Sequence, residues 1–340
     1  DKHQHSTNNS MNSLSANIND LLPTELPSSM NQPYNHECMS ALANIYETLK
    51  EQDYWSGVWH KKSYYKETLI AIAYEQQGFF EQAKGAYELA MSKGQNEYNN
   101  TPIPLWLNEE YLIWESHWIR CSKELNQWDF LKDYGNSLEL PNPLLVLESA
   151  WRIPDWDSMN MAVTCVEQNL PKDFAWKLAL YKGYNAICNP NHRDMDTAER
   201  MVEVATNFLL KEWRKLPKIV SSAHINILQG AHQVIELNEA HNLNHILYNT
   251  IGPYKNDRSP YELRSLIKTW KNRLPIVADD LSHWSDIFTW RQHHYQMIVS
   301  RFEQENKLQQ QQGNQPSQAA SSNILCGAHA SAQSLIHLAK

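Results

Sequence analysis

Between residues 37 and 302 the apolar side chains return every three or four positions, the interval that gathers them on one face of an α-helix. Strand-like alternation is rare and only 10 of 340 residues are glycine. The pattern predicts an all-α interior whose helix ends are legible. Trp213-Arg-Lys-Leu-Pro217 and Trp270-Lys-Asn-Arg-Leu-Pro275 each put basic residues in a last turn, at the negative end of the helix dipole, then a proline that cannot continue the ladder. β-Branched pairs, Ile219-Val220 and Ile276-Val277, follow these stops. Asp279 and Asp280 precede Leu281 and Trp284, where a carboxylate can accept the orphan amides of a new first turn, so the two acids are read as caps and not as a catalytic dyad.

The segment Leu69 to Met91 carries a tetratricopeptide-like pattern. In that repeat of about 34 residues, small and aromatic residues on two consecutive helices face one another, so that the helices approach closely. Here Ala71 and Tyr74 form the first set and Ala83, Tyr87 and Ala90 the second. Gly78 lies between them, where a residue without Cβ takes a positive φ at little cost. Weaker copies share an aromatic, two spacers and an apolar residue opening a second helix: Trp55 with Val58, Phe80 with Ala83, Trp128 with Leu131, and Trp156 with Met159. Their spacings, 25, 48 and 28 residues, are irregular. The expected architecture is therefore an irregular α-solenoid of tetratricopeptide-like helical hairpins. A hairpin cannot bury both faces alone, and stacking such units leaves large surfaces suited to holding other proteins. The 13 tryptophans are read as packing residues of this array.

Two stretches depart from the helical pattern. Residues 1–36 are rich in Asn, Ser, Pro and His, too poor in apolar surface to offset the entropy of ordering, and are expected to be a disordered tail. Residues 303–323, with the run Gln309 to Gln312, read as a Gln/Ser-rich disordered loop, and 324–340 as the start of a further helix. A chain that begins at Asp1 and stops at Lys340 inside that helix reads as a segment of something longer.

Composition narrows the function. With 30 basic against 38 acidic residues the net charge is −8, so no broad positive field gathers phosphates and no direct nucleic-acid partner is expected. Five scattered cysteines (Cys38, Cys121, Cys165, Cys188, Cys326) without a C-x-x-C pair suggest neither a disulfide framework nor a zinc ribbon, and fit a reducing compartment. No run approaches the roughly 18–20 apolar residues of a membrane span. The expectation is a soluble intracellular protein with no membrane partner.

Positive signs of chemistry are missing from the sequence. It contains no Gly-rich phosphate loop, H-R-D or D-F-G segment and no G-x-S-x-G elbow. Cys121 and Cys165 have no histidine beside them in sequence. His283, His293 and His294 come nearest to a metal set, but adjacent helical side chains diverge by about 100°, so one of the last two is expected against the core and the other in solvent. Neither a cofactor nor a metal is expected. Lys211-Glu212-Trp213-Arg214-Lys215 reads as a solvated helix end.

Three blocks carry a family resemblance: Ala71 to Ala83, Trp114 to Trp128, and Thr269 to Tyr295 with its Trp-Lys-Asn-Arg-Leu-Pro-Ile-Val-Ala-Asp-Asp-Leu run. Together with Gly327-Ala-His-Ala-Ser331 they resemble the FAT region of the TRRAP/Nipped-A family. The resemblance implies a helical-repeat FAT segment over 37–302. It also implies a place in very large phosphatidylinositol-3-kinase-like pseudokinases, nuclear scaffold subunits of SAGA and NuA4/TIP60-type histone acetyltransferase complexes. Such subunits receive transcription activators, regulate chromatin acetylation, and carry a downstream kinase-like domain that the FAT region embraces. It offers no catalytic residue here. An alternative is the FAT regulatory region of a catalytically active kinase of the same superfamily, and a co-chaperone-type peptide-binding module is a third.

Overall fold

A computed structural model of the chain describes residues 33–49, 51–98, 105–137, 141–168, 174–191, 193–251, 259–276, 279–311 and 318–339. Among them are fourteen α-helices and no strand. They are α1 (Pro33–Thr48), α2 (Gln52–Lys62), α3 (Lys66–Gln76), α4 (Phe80–Tyr98), α5 (Leu105–Glu124), α6 (Trp128–Ser137) and α7 (Pro143–Ala150). The series continues with α8 (Trp156–Gln168), α9 (Ala175–Cys188), α10 (Met195–Lys215), α11 (Ser222–Ile251), α12 (Ser259–Asn272), α13 (Leu281–Gln311) and α14 (Gln318–Ala339). The chain divides inside α6 into two compact units, residues 1–131 and 132–340.

In the first unit each helix from α1 to α5 packs on the next, and α3 also reaches α5. The α3–α4 hairpin is the one the small-and-aromatic pattern predicts: Ala71, Ala83, Tyr87 and Ala90 are fully buried. Gly78 takes φ +77°, its N–H donates to the Glu75 carbonyl at 3.0 Å, and the Phe79 N–H donates to the Tyr74 carbonyl at 2.9 Å. This is a Schellman closure, and the edge-to-face contact of Tyr74 with Phe79 at 6.5 Å supplies its hydrophobic clasp. Asn126 repeats the device at the end of α5 with φ 54°: its N–H donates to Lys123 and the Gln127 N–H to Ser122, both at 3.0 Å. Both turns release an aromatic as the first residue of the next helix, Phe80 in α4 and Trp128 in α6.

The second unit holds two cores threaded by two long helices. α7 to α10, the first part of α11 and Trp290 of α13 form one core. The later part of α11, with Leu243 and Leu247, joins α12 and the Tyr295–Phe302 stretch of α13 in the other. α11 and α13, with 30 and 31 residues, each extend about 45 Å and belong to both. Local signals set the ends of the shorter helices. Asn142 Oδ1 caps α7 by accepting the Leu145 N–H at 3.2 Å ahead of Pro143 at N1, and Asp194 Oδ1 caps α10 by accepting the Asp196 and Thr197 amides at 3.1 Å. α10 stops at Lys215 with Leu216 extended before Pro217, and α12 stops at Asn272 before Pro275, as the basic-then-proline signals predict.

Several expectations change. Of the tail expected over 1–36, residues 33–36 begin α1 and 1–32 lie outside the described residues. Helix continues to Gln311 and resumes at Gln318 inside the span expected to be a loop, leaving 312–317 outside the described residues. The reason is that Glu, Lys and Gln are good helix formers and prolong α13 where apolar periodicity has already faded. Trp55 is out of register with the other copies: it lies four residues after the α2 N-cap Glu51, the buried place that Ala83 occupies in α4, instead of opening the helix. The Asp279 carboxylate does not cap α13. It accepts the Ile276 N–H three residues back at 2.9 Å and the Gln229 side chain at 3.1 Å.

Candidate functional site

The first unit is braced around one carboxylate. Glu75, on the buried side of α3, accepts from Arg120 Nε at 2.6 Å and Tyr87 Oη at 2.9 Å and meets His117 Nδ1 at 2.7 Å, so α3, α4 and α5 share it. Trp55 of α2 stacks on the His117 ring at 4.8 Å and 8°. Burial opposes the Glu75 charge, but the hydrogen bonds from His117 and Arg120 and the guanidinium charge override it and hold the carboxyl down at about 2. A second acid, Glu110 of α5, accepts the Tyr64 and Tyr65 amides at 2.8 and 3.2 Å and the Thr68 hydroxyl at 2.5 Å, fixing the entry to α3. Burial raises its carboxyl against the pull of those bonds.

The second unit is braced around Glu236 of α11. Arg291 of α13 donates from Nε to Oε2 at 3.0 Å and from Nη2 to Oε1 at 2.7 Å, and both side chains are nearly free of water. Arg291 also donates to the carbonyls of Trp270 at 2.7 Å and Arg273 at 2.8 Å, satisfying acceptors exposed where α12 ends. Arg273 in turn bonds Glu239 through Nη1 at 2.8 Å and reaches Glu236, while Trp270 Nε1 donates to Glu239 at 2.6 Å. Burial works against the Glu236 charge, yet the His232 ring, 3.3 Å away, and the guanidinium groups of Arg291 and Arg273 hold its carboxyl well below the usual range. These pairs knit α11, α12 and α13 into one body.

The aromatic residues pack as expected, with exceptions. Trp55, Trp59, Trp114, Trp118, Trp151, Trp270 and Trp290 are buried, whereas Trp213 is 46% exposed. Trp290 is sandwiched by Trp151 at 4.3 Å and Tyr184 at 3.6 Å, nearly parallel to both. Of the repeat residues, Tyr74 is half-buried at its turn. Trp128 is half-buried with Nε1 donating to Asn126 at 3.3 Å, and half-buried Trp156 packs on the first core of its unit. The four buried members and Gly78 build the α3–α4 hairpin and do not line a cleft.

The histidine trio does not converge. His283 Nε2 lies 3.2 Å from His232 Nδ1, His293 Nε2 donates to the Trp151 carbonyl at 2.8 Å, and His294 stacks beside Tyr184 at 5.8 Å. His294 is buried as expected of one of the pair, while His293 is half-buried rather than in open solvent, its ring held against the Trp151 carbonyl; burial pushes His293 down to about 4 and His294 to about 3. No group of three or more metal-ligating side chains occurs among the described residues. Burial raises the Cys121 and Cys188 thiols to about 12, so neither is a thiolate at neutral pH. No described helix is long and apolar enough to cross a membrane. Sequence reasoning missed Arg291, although it shares the stripe of Ile287, Phe288, Tyr295 and Ile298 on α13, a placement that marks a buried charge. It also missed a groove of about 580 Å³ between α12, α13 and α14 whose rim is basic.

The model of the FAT domain matches residues 143–340, from the first residue of α7 to the end of the chain. Transformation/transcription domain-associated protein of Mus musculus is 46% identical over 309 residues, 91% of this chain and 12% of that protein. Transcription-associated protein 1 of Drosophila melanogaster is 44% identical over 90% of this chain and 8% of its own length. The chain belongs to the FAT-domain family, in its transcription-associated TRRAP branch. A Saccharomyces cerevisiae protein named as a subunit of the SAGA and NuA4 acetyltransferase complexes is 29% identical over 77% of the chain and 7% of that subunit. The chain thus spans about a tenth or less of these relatives. The FAT match covers α7 to α14, both cores of the second unit and the Glu236 brace.

Proposed function

We propose that this FAT segment is a non-catalytic scaffold within a nuclear, TRRAP-like subunit of SAGA and NuA4/TIP60-type histone acetyltransferase complexes. It braces that subunit's kinase-like domain and presents helical surface to other subunits and to transcription activators. The observation that carries this reading is the 44–46% identity over at least 90% of the chain to transcription-associated proteins. The physical character of the segment agrees with it. Its buried charges are held in ion pairs between helices, its buried thiols are protonated, and its repeat residues, Ala71, Tyr74, Gly78, Ala83, Tyr87, Ala90, Trp128 and Trp156, are read as packing and turn residues. On this reading the 37–302 helices are one supporting array and the kinase-like domain is a pseudokinase. The names of the relatives give no support to the alternative of an active kinase's regulatory region. Affinity purification of the full-length protein with 37–302 deleted is the test: loss of acetyltransferase subunits is expected, and unchanged assembly sinks the proposal.

A further inference from the structure

Near the start of α13, its contact with α11 is made by two imidazole rings. His232 Nδ1 of α11 and His283 Nε2 of α13 stand 3.2 Å apart, with ring centroids at 5.3 Å and planes at 63°. His283 is buried and His232 half-buried. At that separation one of the two nitrogens carries a proton and the other offers a lone pair. The far nitrogen of His232, Nε2, is enclosed and faces Glu236 Oε1 at 3.3 Å, an ion-pair distance without hydrogen-bond alignment. The two rings thus lead to the carboxylate on which Arg273 and Arg291 converge.

The number of protons on the pair decides what it does. With one added proton, His232 carries an N–H on both nitrogens. Nδ1 then donates to the His283 lone pair while the charge faces Glu236, which strengthens the contact. With a second proton both facing nitrogens carry hydrogen, the bond is lost, and two like charges stand side by side. Asp279, Asp286 and Glu236 face His283 and favour its charge, but burial first and then the His232 ring outweigh them and push it below its ordinary value. Asp279 is engaged by the Ile276 N–H and Gln229, and Asp286 by Arg152. Lys177 of α9 and Glu212 of α10 line the same pocket of about 490 Å³ as His283.

We propose that His232 and His283 form a proton-operated latch between α11 and α13, closed while the pair holds no more than one added proton and opened by the second. Opening frees the first turns of α13, while the Glu236–Arg291 contact about two turns further along holds the rest. An undocked His283 binds its proton more readily than the docked one, so the latch is fully closed above 6.5 and loses stability as pH falls below that value. The inference goes beyond the scaffold reading and does not depend on it.

The test is hydrogen–deuterium exchange read by mass spectrometry on the full-length protein in its purified complex, at pH 7.5, 6.5 and 5.5, with labelling times scaled to the intrinsic exchange rate at each pH. Residues 284–287, in the first turns of α13, are expected to lose protection by about fivefold or more between pH 7.5 and 5.5, while residues 296–301 of the same helix stay protected. H283Q and H232Q each remove one titrating ring and keep a side chain able to hydrogen-bond across the contact, so each is expected to flatten that dependence. Protection of 284–287 that does not change with pH in the wild type overturns the proposal. Equal loss in both stretches traces to the buried His293 and His294 and overturns it too. A variant that keeps wild-type protection at pH 7.5 decides by its slope, and the wild-type slope in either one sinks the latch. Loss of protection at every pH in both variants assigns the rings a packing role and also refutes it.

Discussion

Glu236 and Arg291, 55 residues apart in sequence, meet inside the second unit through two hydrogen bonds of 3.0 and 2.7 Å. Two charges removed from water gain little net stability over a well-packed apolar pair, but each becomes costly without the other. E236A is therefore expected to destabilise this unit by about 3–5 kcal/mol, since Arg291 is left buried with only carbonyl partners. E236L/R291M is expected to lose less than the sum of the two single changes, as read from denaturant midpoints. Additive losses would show that the pair does not act as a unit.

Gly78 closes the α3–α4 hairpin at φ +77°, with no atom within 4 Å of where a Cβ would stand. The cost of G78A is thus confined to the backbone, about 1 kcal/mol, with G78N milder because Asn tolerates this region, as Asn126 does in the second turn. Hydrogen exchange of the Phe79 amide, which is tied to Tyr74, reads the change. Equal protection in wild type and G78A would contradict it.

His294 is fully enclosed, and neither ring nitrogen meets a hydrogen-bond partner among the described residues. Burial holds its folded value at about 3 and that of His293 at about 4, against 6.5 for the free side chain. The unfolded chain then binds more protons than the folded one below pH 6.5, so stability falls as pH drops through the window from 6.5 to about 4 and levels off below the folded values. Each histidine contributes a slope of up to about 1.4 kcal/mol per pH unit. H294F is expected to leave stability at pH 7 unchanged or higher and to remove one histidine's share of the slope. An unaltered slope between pH 6 and 4.5 in H294F would contradict this account.

Gly183 marks where α9 meets α11: an added Cβ would lie 2.6 Å from Leu237 Cδ2. G183A is expected to cost about 1–3 kcal/mol through overpacking, and G183A/L237A to recover part of the loss by making room. Thermal unfolding of the single and double variants distinguishes this from a plain helix-propensity effect, which would make G183A stabilising.

Much of the secondary structure was legible because it is local. The prolines after Trp213 and Trp270, the small-and-aromatic spacing around Gly78, and the aromatics opening α4, α6 and α8 all act within a few residues along the chain. The same locality explains the errors. Trp55 follows the aromatic spacing yet sits three places later in its helix, because only the position of the N-cap sets that register. His293 and His294 were expected to divide between core and water, but α13 is covered on more than one side, and His293 is half-buried with its ring on the Trp151 carbonyl and the edge of Trp156.

The candidate site was legible only as a class. Periodicity along one helix identifies a face and cannot say which other helix will cover it. By itself the sequence determined the helical class, its hairpin turns and several of its stops, since φ preferences, capping and proline's missing N–H operate within one or two turns. Tertiary structure alone decided that Arg291 serves Glu236 and the end of α12 and that Trp151 and Tyr184 sandwich Trp290. Those pairings join residues tens to more than a hundred positions apart, and they come into being only when the packed helices bring the faces together.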